Sequence, residues 1–247
     1  MITEAPGWLP PPANLHVSSS EVHIWRISLN LPGALLTQLH ETLSADERAR
    51  AARFVFAQDR DHFIAGRGAL RDILGLILHQ PPDRLCFSYN AYGKPALTSE
   101  PGGISFNVAH SHGLALVGVA HGHMLGVDIE YIRPDVNVEQ LARQFFSPRE
   151  ASALLALPEG LRQKAFFSCW ARKEAYIKAR GEGLSIPLDQ FDVSLVPGQP
   201  AALLSTPSGD VEEWHLSGLD AGPGYEAALA VRGHNLTIHR WAWSARS

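Results

Sequence analysis

Apolar residues recur along the chain with two different periods. Val22, Ile24, Ile27 and Leu29 alternate well enough to predict a strand over 22–29. Leu35–Leu43 follows as a short helix. Ser44 with Glu47 three residues later is a capping box, so a new helix starts at Ala45. Phe54, Phe56, Phe63, Leu70, Leu74 and Leu78 supply apolar surface for two successive helices, which Pro81 and Pro82 close. Asn90-Ala-Tyr-Gly-Lys-Pro95 is turn chemistry. Ile104–Val108 and Leu114–Ala120 predict a hairpin with a polar tip over 109–113, and Leu125–Tyr131 a further strand. Gln140–Phe146 and Arg149–Leu157 predict helices, the second capped by Ser147 with Pro148 and Glu150 behind it. Leu161–Arg180 is the longest helix and stops at Gly181. Strands are predicted at Phe191–Val196, Ala201–Ser205, Glu213–Ser217, Glu226–Val231 and Leu236–Trp241. Residues 1–20 form an irregular, proline-rich lead-in. The class is α+β, with strands and one long helix in each half and the halves meeting near 120–125.

Composition narrows the function. Of 247 residues, 45% are apolar and 19% charged, enough to bury a core. The net charge of −4 argues against bulk binding to nucleic acid or an anionic membrane. Cys86 and Cys169 stand far apart, so neither a disulfide framework nor a cysteine zinc site is expected. The start, MITEAPGWLPPPANLH, lacks the basic and apolar stretches of a signal peptide, and no apolar run approaches the ~20 residues of a membrane span. A soluble, cytoplasmic protein is the expectation.

Three segments carry candidate chemistry. In Gly126-Val-Asp-Ile-Glu130, alternation sends Asp128 and Glu130 to one face of a strand. A solvated acidic face and a site for a hard cation, Mg²⁺ or Mn²⁺, both fit this pentapeptide. Trp170, Glu174 and Lys178 are four residues apart and share a helix face. They read as an ordinary surface ion pair, or as a third acid with a lysine for phosphate. His110 in Ser105-Phe-Asn-Val-Ala-His110-Ser-His112 is a candidate anion donor. Repetition of H-x-H at His121 and His123 raises a zinc site, but no cysteine joins these histidines, and the other three stay unassigned.

Together these segments resemble the 4′-phosphopantetheinyl transferases of the surfactin type. The motifs are Phe106-Asn-Val-Ala-His-Ser111, Gly126–Glu130, Trp170-Ala-Arg-Lys-Glu-Ala-Tyr-Ile-Lys178, Gly181-x-Gly183 and Pro187-Leu-x-x-Phe191, with Tyr92-Gly-Lys-Pro95 and the helix start at Ser44. The resemblance implies two similar α/β halves in one chain, divided at 1–121 and 122–247, forming a pseudo-dimer with coenzyme A between them. It implies Asp128, Glu130 and Glu174 as ligands of Mg²⁺, with Glu174, Lys178 and Asp128 carrying catalysis. Lys178 and Lys173 would meet the phosphates. Arg67, Lys94 and His110, with Asn107 and Ser111, would bind the nucleotide end, and Tyr92 and Gly93 would shape the adenine pocket. Some members carry a lysine early in the 44–54 helix where this chain has Glu47, so Arg48 or Arg50 would take that phosphate contact.

The implied reaction moves phosphopantetheine from coenzyme A to a serine of an apo acyl or peptidyl carrier protein and releases adenosine 3′,5′-bisphosphate. The carrier would dock near Tyr131–Phe146, and the chain would be a monomer. A Mg²⁺-dependent phosphohydrolase and a non-catalytic coenzyme A-binding module are the competing readings.

Overall fold

The computed structural model describes residues 3–4, 7–98, 103–181 and 186–245. Its elements in chain order are β1 (Thr3–Glu4), β2 (Glu21–Ser28), α1 (Gly33–Thr42), α2 (Ala45–Ala51), α3 (Ala57–Leu78), β3 (Phe87–Tyr89), β4 (Pro95–Leu97), β5 (Ile104–Ser111), β6 (Leu114–His121) and β7 (Leu125–Tyr131). The second half adds α4 (Val138–Phe145), α5 (Pro148–Leu155), α6 (Glu159–Arg180), β8 (Asp192–Val193), β9 (Leu203–Ser205), β10 (Trp214–Leu219), β11 (Tyr225–Arg232) and β12 (Thr237–Ala242).

Two sheets lie face to face with a long helix outside each. The first has strand order β1-β12-β2-β6-β5 and the second β10-β11-β7. Strand alternation explains the layers. In β2, Val22 and Ile24 point inward and join Leu116, Val127, Ile129, Leu229 and Ile238 in a core shared by both sheets. Trp25 and Ile27 point the other way and pack under Ala65, Ala69, Ile73 and Leu74 of α3. On the far side, Ala228 and Ala230 of β11 meet Ala171, Ala175 and Ile177 of α6. β7 is therefore covered on both faces. Gly118 of β6 lets the sheets close, because a Cβ there would come within 2.9 Å of Val127 and 2.8 Å of Leu125.

The two predicted helices from Ala45, the strand over 125–131, and the capping boxes at Ser44 and Ser147 are present. The hairpin differs. Its turn is only His112 and Gly113, and 109–111 extend β5 rather than forming a polar tip. Ala109 is buried in the inter-sheet core, which holds the strand straight. The lead-in is also partly ordered: Thr3 and Glu4 pair with 237–238, and Leu9 bridges Trp241. The division at 121 and 122 is not followed by the sheets, because β12 returns to pair with β2 in the first one. The motif position Gly183 lies outside the described residues.

Candidate active site

The acids come together because β7 and α6 touch backbone to backbone. A Cβ on Gly126 would lie 2.2 Å from the Ala175 carbonyl oxygen and 2.4 Å from the Ala179 nitrogen. Only glycine permits that approach. It brings Lys178 Nζ within 2.5 Å of Asp128 Oδ1. Asp128 is 3% exposed, and its Oδ2 has no hydrogen-bond partner among the described residues. Burial pushes Asp128 up to about 7, against the pull of Lys178 and with a further push from Glu130 and Glu174. Glu130 and Glu174 are raised as well, chiefly by burial. The Ser111 hydroxyl hydrogen-bonds to Glu130 and also accepts from Tyr131 N at 3.0 Å, tying β5 to the acidic strand.

Three carboxylates whose charge the protein only partly neutralises, one with an orphaned buried oxygen, suit a hard divalent cation. The residues present therefore fit a Mg²⁺ site made of Asp128, Glu130 and Glu174. Opposite Glu130 in the ladder stands Glu226, which takes the Ser168 hydroxyl at 2.5 Å and Lys164 at 3.8 Å. No motif pointed to it.

Beside the acids opens a cavity of about 880 Å³. Arg50, Arg53, His62, Arg67, Tyr89, Gly93 and His110 line it, with Phe54 and Phe63 as apolar wall. His110 connects the two regions: burial and the charges of Lys178 and Arg50 lower its affinity for a proton. Arg67 lies over the Phe87 ring at 4.1 Å and donates to Tyr89 Oη at 3.0 Å. Its Nε donates to Glu47, whose other oxygen accepts from Arg71 Nε at 2.6 Å. Glu47 is 3% exposed. The capping box accounted for this acid in sequence and hid its second task.

Comparison with known proteins gives the family. Residues 33–122 match the model of the 4′-phosphopantetheinyl transferase N-terminal region, and 124–231 match the 4′-phosphopantetheinyl transferase superfamily. The 4′-phosphopantetheinyl transferase HetI of Nostoc sp. is 44% identical over 236 residues, covering 95% of this chain and 97% of that protein. The chain belongs to the 4′-phosphopantetheinyl transferases. Sfp of Bacillus subtilis is 30% identical over 190 residues, 76% of this chain and 82% of Sfp. A putative 4′-phosphopantetheinyl transferase of Synechocystis sp. is 36% identical over 197 residues, 78% of each. This 4′-phosphopantetheinyl transferase is of the surfactin type, an enzyme that transfers phosphopantetheine to carrier proteins.

Within that frame, several expected contacts of the transferase fall elsewhere. Lys173 is fully buried, paired with Glu150 at 2.7 Å and donating to the Leu188 and Phe191 carbonyls, so it faces the core behind α6 and no phosphate. Asn107 is buried and accepts from Val127 N at 2.9 Å, stitching the two sheets. Lys94 donates to the Lys178 carbonyl at 2.6 Å. Arg48 donates to the Leu43 carbonyl and is absent from the cavity wall, whereas Arg50 is on it. The Tyr92 ring is exposed and only Gly93 of that pair lines the cavity. In the expected docking segment, Val138 and Phe146 are core and Ile132, Val136 and Leu141 pack against it. Phe145 alone of these is exposed, edge-on to Trp170.

Proposed function

We propose that the donor is coenzyme A and that transfer depends on Mg²⁺ held by Asp128, Glu130 and Glu174. One observation supports this above the rest: the acids and Lys178 meet beside an arginine-lined cavity large enough for a nucleotide. The nucleotide end lies in that cavity, its phosphates against Arg50, Arg53, Arg67 and His110. The ion supplies neutralising charge at the pyrophosphate when bound.

The chain's own groups do the rest. The cavity fixes the donor so that the carrier serine oxygen attacks the β-phosphorus in line. The new serine O–P bond forms as the bond to adenosine 3′,5′-bisphosphate breaks. Lys178, turned from Asp128 toward the phosphates, offsets charge on the leaving group. Glu174, raised by burial, takes the serine proton directly or through a water. The carrier docks around exposed Phe145, with Arg143 and Arg149 exposed beside it for an acidic helix. One chain holds both walls of the cleft, so the monomer is the active unit. Among the described residues no helix is long and apolar enough to cross a membrane.

The test is incubation with coenzyme A, Mg²⁺ and a panel of apo carrier proteins, followed by intact mass. A gain of one phosphopantetheine on a carrier, abolished by chelator, is the expected result. Free phosphopantetheine without carrier modification would instead make the chain a hydrolase.

A further inference from the structure

The hairpin formed by β3 and β4 reaches out from the cavity and grips the end of the helix that carries the catalytic groups. Tyr89, Gly93 and Pro95 of this hairpin line the cavity. Lys94, between them, points away. Its Nζ donates to the Lys178 carbonyl at 2.6 Å and approaches the Ala179 and Leu125 carbonyls at 3.4 Å. Asn90 Nδ2 adds a bond to the Gly181 carbonyl at 3.1 Å. The turn is stiff enough to hold both, because Asn90 Oδ1 accepts from Tyr92 N at 2.9 Å and from Lys94 N at 2.8 Å.

The last four carbonyls of a helix lack intrahelical partners, and a cation there also meets the negative end of the helix dipole. Among the described residues no carboxylate is within ion-pair distance of Lys94, so these carbonyls are what its charge answers. They belong to both elements that carry the acids: Leu125 opens β7, three residues before Asp128, and Lys178 is in the last turn of α6. Gly181, whose φ of +73° ends the helix, sits beside the Lys94 stem: a Cβ on Gly181 would lie 3.4 Å from Lys94 Cδ.

From this arrangement we infer that Lys94, with Asn90, is a positioning residue that locks the last turn of α6, and hence the Lys178 side chain, to the wall of the donor cavity. This rests on the transferase reading and differs from the expectation that Lys94 binds the nucleotide. The two roles separate kinetically. A nucleotide contact removed raises KM for coenzyme A; a misplaced Lys178 lowers kcat and leaves KM alone.

The experiment compares Lys94→Met and Asn90→Ala with the wild-type chain in transfer to an apo carrier, with coenzyme A varied. Hydrogen exchange over 175–181 is followed on the same proteins. In Lys94→Met, kcat is expected to fall roughly 10–100-fold, the scale of a small misplacement of a reacting group. KM for coenzyme A should stay within about twofold, because no donor contact is lost. Exchange over 175–181 should quicken while that of α3 does not change, and Asn90→Ala should shift kcat and exchange in the same directions by less. A raised KM at unchanged kcat would place the ammonium on the nucleotide and overturn the inference. Unchanged exchange over 175–181 would overturn it equally. If Lys94→Met does not fold, Asn90→Ala decides by the same two readouts. A wild-type chain that transfers nothing removes the transferase reading, and the exchange data still decide whether the tie exists.

Discussion

Lys178 Nζ and Asp128 Oδ1 are 2.5 Å apart, and this ion pair does not suffice to keep Asp128 an ordinary acid. Its carboxyl stands at about 7 instead of 3.8 because burial outweighs the lysine. Between those two values the unfolded chain has lost the proton that the folded chain retains. Without a divalent cation, Asp128 therefore costs the fold progressively more as pH rises from about 4 to about 7, and fully above that. Asp128→Asn removes this cost and, with it, a ligand of the proposed cation site. In chelator at about pH 8, the variant is expected to melt above the wild type, by about 2–4 °C for each kcal/mol relieved in a chain of this size. Mg²⁺ should raise the wild type and not the variant, and the variant should transfer nothing. Thermal unfolding against pH checks it; a variant melting below the wild type at pH 8 would show the ion pair to be a net support of the fold.

Lys178→Ala and Glu174→Gln separate a working helix face from a decorative one. Lys178→Ala takes the cation from the buried Asp128 carboxylate, so the variant should lose stability above about pH 7 and is assayed where it stays folded. Turnover should fall ~10²–10³-fold, as when one preorganised electrostatic group is removed. Glu174→Gln keeps the shape but removes charge from the proposed cation site and the proposed proton acceptor. Its loss should be at least as large, and added Mg²⁺ should restore only part. Single-turnover transfer at saturating coenzyme A measures both. Wild-type rates in the two variants would leave α6 a scaffold.

Glu47 is expected to matter twice. It receives Arg67 and Arg71 and the Ser44 backbone N–H from a position 3% exposed. Glu47→Ala leaves two arginines facing each other in a closed space, at about 3–5 kcal/mol for a broken buried pair. Arg67 then leaves the cavity wall, so KM for coenzyme A should rise in whatever fraction folds. Denaturant unfolding and donor titration follow the two effects, and a stable variant with unaltered KM would make the cluster dispensable.

Local pattern was enough to read the helices and the strand over 125–131, which are written in side-chain period and spacing. For Asp128, Glu130 and Glu174 pattern left a solvated face and a cation site both open, and only the family resemblance implied that they act together. Several contacts that escaped the reading run through backbone: Lys94 answers carbonyls, Asn107 a peptide N–H, and Lys173 two carbonyls. A backbone partner has no residue type, so no sequence motif announces it. Others join side chains far apart in the chain, Lys173 with Glu150 and Glu47 with Arg67 and Arg71, where spacing says nothing of the partner. Alternation puts Asp128 and Glu130 on one face but does not say whether that face is open; the closing of α6 over Gly126 buries Asp128. The pairing of β12 with β2 joins residues more than two hundred positions apart, and alternation within either strand says nothing of its neighbour.

Lys173 is the sharpest case, because it stands next to Glu174 and yet faces the opposite way. A helix turns 100° per residue, so neighbours cannot share a face. Lys173 lies between α6 and α5, with Glu150 at 2.7 Å, the Leu188 carbonyl at 2.7 Å and the Phe191 ring centroid at 4.2 Å. Glu150 in turn accepts from Val193 N at 2.8 Å and from Ser147 N at 3.1 Å, so one ammonium balances a carboxylate that organises three segments. Lys173→Met keeps the length and apolar bulk of the side chain but strands the Glu150 charge in a dry site. The expected loss is about 3–5 kcal/mol of stability. If Lys173 instead met the donor's phosphates, Lys173→Met would be as stable as the wild type and would raise KM for coenzyme A. Urea unfolding and donor titration at a temperature where the variant stays folded distinguish the two. The expected result is a sharply lowered unfolding midpoint with KM unchanged; a full-strength fold with weakened donor binding would return Lys173 to the active site.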